Sequence, residues 1–251
     1  MRDKAKKFLI NLAILIFWLS VWEISARIID LEFVLPTVTA TASSLLTLMG
    51  TKTFYITVLS SLIRIFASFV LGVIIAIILA ILSIKFKAFK ALLMPVMTVA
   101  KSTPVAVIIL ILWLMIGGAN VPGAVAILMV LPVVWQNLID GYDSIDNGLD
   151  EVCKIYNFSF IKRMKILVLP AVLRFFFPSV VTASGLAWKA GIAAEVICIT
   201  KNSIGKEIYN AKYILDGPKM FAYTLFVLIL SYVIEKLIRF LVERIKEKCR
   251  L

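Results

Sequence analysis

The stretch Asp150 to Pro170, DEVCKIYNFSFIKRMKILVLP, is a polar island between long apolar runs. Asp150 and Glu151 open it, and Lys162, Arg163 and Lys165 stand toward its end. That order matches the helix dipole, which favours acids at a helix start and bases at its finish. Asn157 sits mid-island, where a chain reversal needs a residue that tolerates the left-handed region. A turn between two apolar runs needs only a few residues, so a charged helix–turn–helix kept in water calls for another reason. Its chemistry is recognition: either an interfacial loop helix lying on a membrane surface or a docking element for a partner.

A second set of charges falls inside apolar runs. Lys101 precedes Ser102-Thr103-Pro104, and Lys189 and Glu195 lie beside Trp188 and the small residues Ala190, Gly191, Ala193 and Ala194. An ionised side chain near a bilayer centre costs roughly 2.5–3.5 kcal/mol even on the lenient insertion scale, so it faces a cavity or a partner. The two lysines therefore either snorkel or pair with acids on other helices, or line a path that favours an anion. Lys189 and Glu195, six residues apart, point in different directions on one helix and make no mutual pair. Pro104 frees a backbone carbonyl and kinks its helix, as suits a path that must bend. Arg64 reads as a structural anchor.

Other chemistries are excluded. The chain has no histidine, which removes His-dependent triads, His-ligated metals and the usual near-neutral proton relay. Cys153, Cys198 and Cys249 are odd in number and read as small buried apolar residues rather than a disulfide framework. Ser203-Ile204-Gly205-Lys206 lacks the leading glycine and final hydroxyl of a phosphate-binding loop. No cofactor is expected on this chain, and any ATP that drives it must bind another one.

The elements that carry these residues follow from composition. At 62% hydrophobic and only 17% charged, the chain exceeds what a soluble domain tolerates. Its apolar runs are continuous, which favours helices over a barrel, and they recur at the length of roughly 20 residues that a span needs. The reading is an all-α polytopic membrane protein, one domain over 1–251, with six spans near 8–28, 58–84, 91–116, 121–138, 171–199 and 221–242. Basic residues set its orientation. With both termini inside, the cytoplasmic segments hold Arg2, Lys4, Lys6, Lys7, Lys85, Lys87, Lys90, Lys154, Lys162, Arg163, Lys165, Arg244, Lys246, Lys248 and Arg250, against Lys52, Lys201, Lys206, Lys212 and Lys219 outside. Fifteen against five is a positive-inside bias, so the net charge of +12 reflects topology and anionic lipid, with no nucleic acid needed. The basic start resembles a signal peptide, but its apolar part is too long and it is read as a retained span. Short surface helices are expected over 37–49 and 204–215, and a tight turn at Gly117, Gly118, Asn120 and Pro122. Trp18, Trp22 and Trp113 read as interface anchors.

Several segments together resemble the permeases of binding-protein-dependent ABC importers, in the branch of nitrate, sulfonate, taurine and thiamine-precursor transporters. The resemblance runs from about Leu35 to the C-terminus. Its EAA loop is matched by Glu151-Val152-Cys153, by Asn157 where the pattern has glycine, and by Leu169-Pro170 at the close. Val152-Cys153 replaces two alanines and enlarges the side chains there; Asn tolerates the left-handed region better than most residues. Further matches are Ser61-Leu62-Ile63-Arg64 with Gly72, Thr103-Pro104-Val105-Ala106 with Trp113 and Gly117, Gly185-Leu186-Ala187-Trp188, and Ala193-Ala194-Glu195. The resemblance implies a type I importer fold in a bacterial plasma (inner) membrane. It also implies a second permease copy, a cytosolic ABC ATPase that binds the ATP, and an extracytoplasmic solute-binding protein. The coupling residues would be Asp150, Glu151, Val152, Cys153, Tyr156, Asn157, Phe158 and Pro170. Substrate-path residues would be Lys101, Ser102, Thr103, Pro104, Trp188, Lys189 and Glu195. A small anion such as nitrate, sulfonate or taurine is the favoured solute, with a pyrimidine-type thiamine precursor as the alternative. A secondary transporter would need internal symmetry and a coupling-ion site, and an intramembrane enzyme a nucleophile or metal constellation; neither is visible in the sequence.

Overall fold

The computed structural model describes residues 2–249, without the side chains at 2–5, 7, 8, 248 and 249. Several bases counted in the charge bias (Arg2, Lys4, Lys7, Lys248 and Arg250) and Cys249 therefore fall, in whole or in side chain, outside the described residues. Among the described residues every regular element is helical. They are α1 Arg2–Ile29, α2 Val38–Met49, α3 Lys52–Lys85, α4 Lys87–Ser102, α5 Val105–Ile116, α6 Val121–Asp143, α7 Asn147–Ile155, α8 Phe160–Arg163, α9 Leu169–Cys198, α10 Ile204–Tyr213 and α11 Gly217–Cys249. A π-helical turn, Met164–Val168, joins α8 to α9.

Four helical runs are long and apolar enough to cross a bilayer: Leu9–Ile29, Lys52–Lys85, Val121–Asp143 and Phe160–Cys198. The pair α4–α5 makes a fifth if counted as one broken span. The sixth expected span, 221–242, lies inside α11, whose 33 residues reach about 50 Å at 1.5 Å per residue. The expected third span, 91–116, is not one rod: it breaks at Thr103-Pro104 and its halves meet at 110°. Proline lacks the N–H that would continue the ladder and its ring displaces the preceding turn. The ends of the pair still reach opposite ends of the bundle. Lys90 at the start of α4 meets Asp143 at the end of α6, 2.8 Å apart, whereas the Gly118 carbonyl after α5 accepts from Thr200 just beyond α9.

Local chemistry fixes the helix starts. Thr37 accepts the Ala40 N–H, Thr51 the Phe54 N–H and Ser203 the Lys206 N–H, each satisfying an orphan donor of the first turn. The surface helix expected over 37–49 is α2; that expected over 204–215 is α10, two residues shorter. The body of the bundle is α3, α6 and α9. Along α3, Phe54, Thr57, Ser61, Ile65, Phe69, Gly72, Ala76, Ala80 and Ser83 are buried, a three-to-four spacing that puts one stripe against its neighbours. In lipid, apolar side chains alone do not drive helices together, so small residues and hydrogen bonds do more of the work. Trp135 of α6 donates to the Ser83 hydroxyl at 3.0 Å, and Gly72 lies under Val130, while Gly191 of α9 receives Ile65 of α3. By contrast α1 has almost all of its described side chains exposed. It is tied to the rest near its end, where Trp22 donates to the Pro36 carbonyl and Glu23 accepts the Val38 N–H.

The closest backbone approach that bears on the polar island is at Gly141 of α6. A Cβ there would sit 2.9 Å from the Cα of Val172 in α9. Gly141→Leu is accordingly expected to push the two helices apart and cost about 1–3 kcal/mol. A thermal melt of the detergent-solubilised protein reads the loss.

Candidate functional site

The polar island hangs between α6 and α9, beyond the crossing at Gly141. Asp146 caps α7 by accepting the Gly148 N–H at 2.6 Å and the Leu149 N–H at 3.4 Å. The far end of α7 closes as the sequence predicts. Asn157 adopts φ 47°, the Phe158 N–H bonds to the Cys153 carbonyl and the Asn157 N–H to the Lys154 carbonyl, which together form a Schellman closure. Ser159 then caps α8 through the Lys162 N–H, and the Lys162 ammonium lies 3.8 Å from the Phe158 ring centroid, within cation–π range. Pro170 has no N–H to give, and the turn before it widens to π geometry.

One carboxylate ties the two arms of this hairpin. Arg163 lies 2.6 Å from Asp150 across the turn, and Lys154 lies 2.9 Å from it on the same helix. Hydrogen bonds from Lys154 and then Arg163 hold the Asp150 carboxyl below the usual carboxylate range. Glu151, the next residue, is exposed and has no ion-pair partner among the described residues. Asp150 thus holds the hairpin together and Glu151 faces outward. Val152, Tyr156 and Ile155 are exposed as well, the last two at 72% and 75%. A largely apolar exposed face beside an acid marks an interaction surface. Cys153 instead points inward and is buried, so of the two residues replacing the alanine pair only Val152 enlarges the outer face. Phe158 is half-buried under Lys162.

The residues assigned to a path divide into two groups. Lys101, Ser102, Pro104 and Lys189 are exposed and Thr103 half-buried in the single chain, and neither lysine has an acid within salt-bridge distance among the described residues. Pairing with another described acid of the chain is thereby set aside for both. The Ser102 and Thr103 hydroxyls cap carbonyls of the preceding turn, as expected where a helix ends in an apolar environment. Trp188 and Glu195 do not belong with them. Trp188 is 2% exposed and donates to the Val227 carbonyl of α11 at 3.3 Å, so in the single chain it is packed against α11.

Glu195 is 0% exposed. Its carboxylate accepts from Arg64 at 2.6 Å, from the Ser61 hydroxyl at 2.7 Å and from the Gly205 N–H at 3.3 Å. The anchor role read for Arg64 is thereby given a partner, and two of the stretches quoted for the resemblance, around Ser61–Arg64 and around Glu195, meet in space. The sequence reading missed this cluster; the available signal was a glutamate near one span end and an arginine near another, at the same end of the bundle.

With this geometry in place, the chain can be compared with known proteins. The family described as binding-protein-dependent transport system inner membrane component matches residues 68–247, which cover the broken span, the polar island, α9, α10 and most of α11. No curated protein matches the chain.

Two outcomes follow for the hairpin. Asn157→Val places a β-branched residue at positive φ, which costs of order 1–3 kcal/mol, and raises hydrogen exchange over α7, whereas Asn157→Gly does not. The depressed Asp150 carboxyl contributes stability that is present above its ordinary value of about 4 and is lost as pH falls through its lower folded value. Exchange over α7 is therefore flat from pH 8 to 6 after correction for intrinsic rates, and rises only in acid below about 4; in Asp150→Asn it is raised throughout.

Proposed function

As a chain that belongs to the family of binding-protein-dependent transport system inner membrane components, this protein is the permease subunit of an ABC importer, and we propose that it passes a small anion and is driven through Asp150–Pro170 by a separate cytosolic ATPase. The observation that carries the coupling assignment is the hairpin itself: a rigid element with an acid and an apolar face turned outward. It is clasped by Asp150–Arg163 and mounted between α6 and α9. Such an element fits a groove in a partner. In this reading α7 is the coupling helix, the hairpin end of the bundle is cytoplasmic, and the positive-inside bias agrees. ATP binding closes the ATPase dimer and tilts the helices that carry α7; hydrolysis releases them. Alternating access is then a two-state switch biased by the nucleotide.

An extracytoplasmic binding protein delivers the solute at the opposite end, where α2 and α10 lie. A second permease copy completes the path. The exposed Lys101 and Lys189 support both points, since charges within apolar spans are costly against lipid and are accommodated against a water-filled path between copies. They favour an anion, of the nitrate, sulfonate or taurine kind, over a neutral pyrimidine-type precursor.

Glu151→Lys is expected to leave the chain in the membrane and abolish uptake while the co-purified ATPase still hydrolyses ATP; normal uptake would sink the coupling assignment. Lys101→Met and Lys189→Met together lower anion uptake by roughly tenfold or more, a loss of about 1.4 kcal/mol or more in the path. Anion uptake that survives both changes would instead favour a path whose selectivity lies elsewhere.

A further inference from the structure

The Glu195 cluster sits where three elements meet: Ser61 and Arg64 come from α3, Glu195 from the last turn of α9, and Gly205 from the start of α10. The network continues through backbone. Ser61 also accepts the Ile204 N–H at 3.0 Å, and Arg64 reaches the Lys201 carbonyl at 3.4 Å in the loop that leads to α10. The first two N–H groups of α10 are thus satisfied by groups on other helices, and a buried carboxylate stands at the positive end of its dipole. Space enforces the same arrangement. A Cβ on Gly205 would overlap the Cβ of Glu195 and come within 2.5 Å of the Val196 backbone nitrogen, so α10 can seat only with glycine at this point. Beyond the seat, α10 ends in Tyr213, with Ile214 and Leu215 following, all well exposed.

From this geometry we infer that Glu195 is a positioning residue, which with Ser61, Arg64 and Gly205 locks α10 to α3 and α9. Contact of the loaded binding protein with α10 is thereby passed to the membrane helices. The inference rests on the importer reading above. It assigns Glu195 to transmission of the delivery signal and not to the lining of the path. α9 is the common member: its far end continues through the π-helical turn into the coupling hairpin, so a displacement of α10 acts on the rod that also carries α7.

The test uses the permease purified in detergent with its ATPase, with and without solute-loaded binding protein. Hydrogen exchange is read over 204–213 and ATP hydrolysis in both conditions. In Glu195→Gln, which removes the charge, and in Gly205→Ala, which keeps it but crowds the seat, the α10 amides exchange about tenfold faster or more. Basal hydrolysis persists in both, and stimulation by the binding protein is lost; Glu195→Asp recovers part of it. Should either variant fail to assemble, Arg64→Lys, which keeps a cation but gives up the reach to the Lys201 carbonyl, is read in the same way. Unchanged α10 protection, or full stimulation in the variants, overturns the inference. A parent complex whose hydrolysis ignores the binding protein contradicts the importer reading instead, while α10 exchange still decides whether Glu195 seats that helix.

Discussion

The close crossing of α6 and α9 at Gly141 and Val172 is the constraint on which the rest depends. Both ends of the polar hairpin are rooted in these two helices, so wherever they move the hairpin must follow. A hairpin on loosely packed helices could turn freely and transmit little. Here the Asp150–Arg163 pair removes the remaining freedom between its arms. That pair is partly exposed and adds little to global stability; what it sets is direction. The 30 residues of α9 make a rod of about 45 Å, with the hairpin at one end and the Glu195 seat for α10 at the other.

Charge is distributed along that rod in two ways. Glu195 is buried and fully answered by Arg64, Ser61 and a backbone N–H, as an ionised group away from water must be. Lys189, less than two turns away, is exposed and unanswered among the described residues. An answered charge joins helices, whereas an unanswered one within a span points to water or to a second copy. The same contrast appears at the broken span, where the Ser102 and Thr103 hydroxyls bond to the Thr98 and Val99 carbonyls of the last turn and Lys101 stays exposed.

Much of this was legible in the sequence, for physical reasons that differ by element. The helices follow from continuous apolar runs and from Thr and Ser caps, which are local. Asn157 marked the reversal because few other residues accept positive φ, and the hairpin closes there. Pro104 marked a kink, but proline removes one hydrogen bond without setting an angle, so a bend of 110° came only from packing. Glu195 and Arg64 are 131 residues apart, and no local rule joins them; the sequence gives a charge in a span without saying whether a helix or a path answers it. Trp188 was ambiguous in the same way; its bond to the Val227 carbonyl of α11 is as far from any local rule.

The most direct measurement is a tagged pull-down of the chain from detergent-solubilised membranes, with ATP hydrolysis assayed on what co-purifies. A permease driven through its hairpin brings down a stoichiometric P-loop ATPase, and releases it when α7 is deleted. A chain that purifies alone and still moves solute in sealed vesicles would contradict the account, because its transport would then need no partner at Asp150–Pro170.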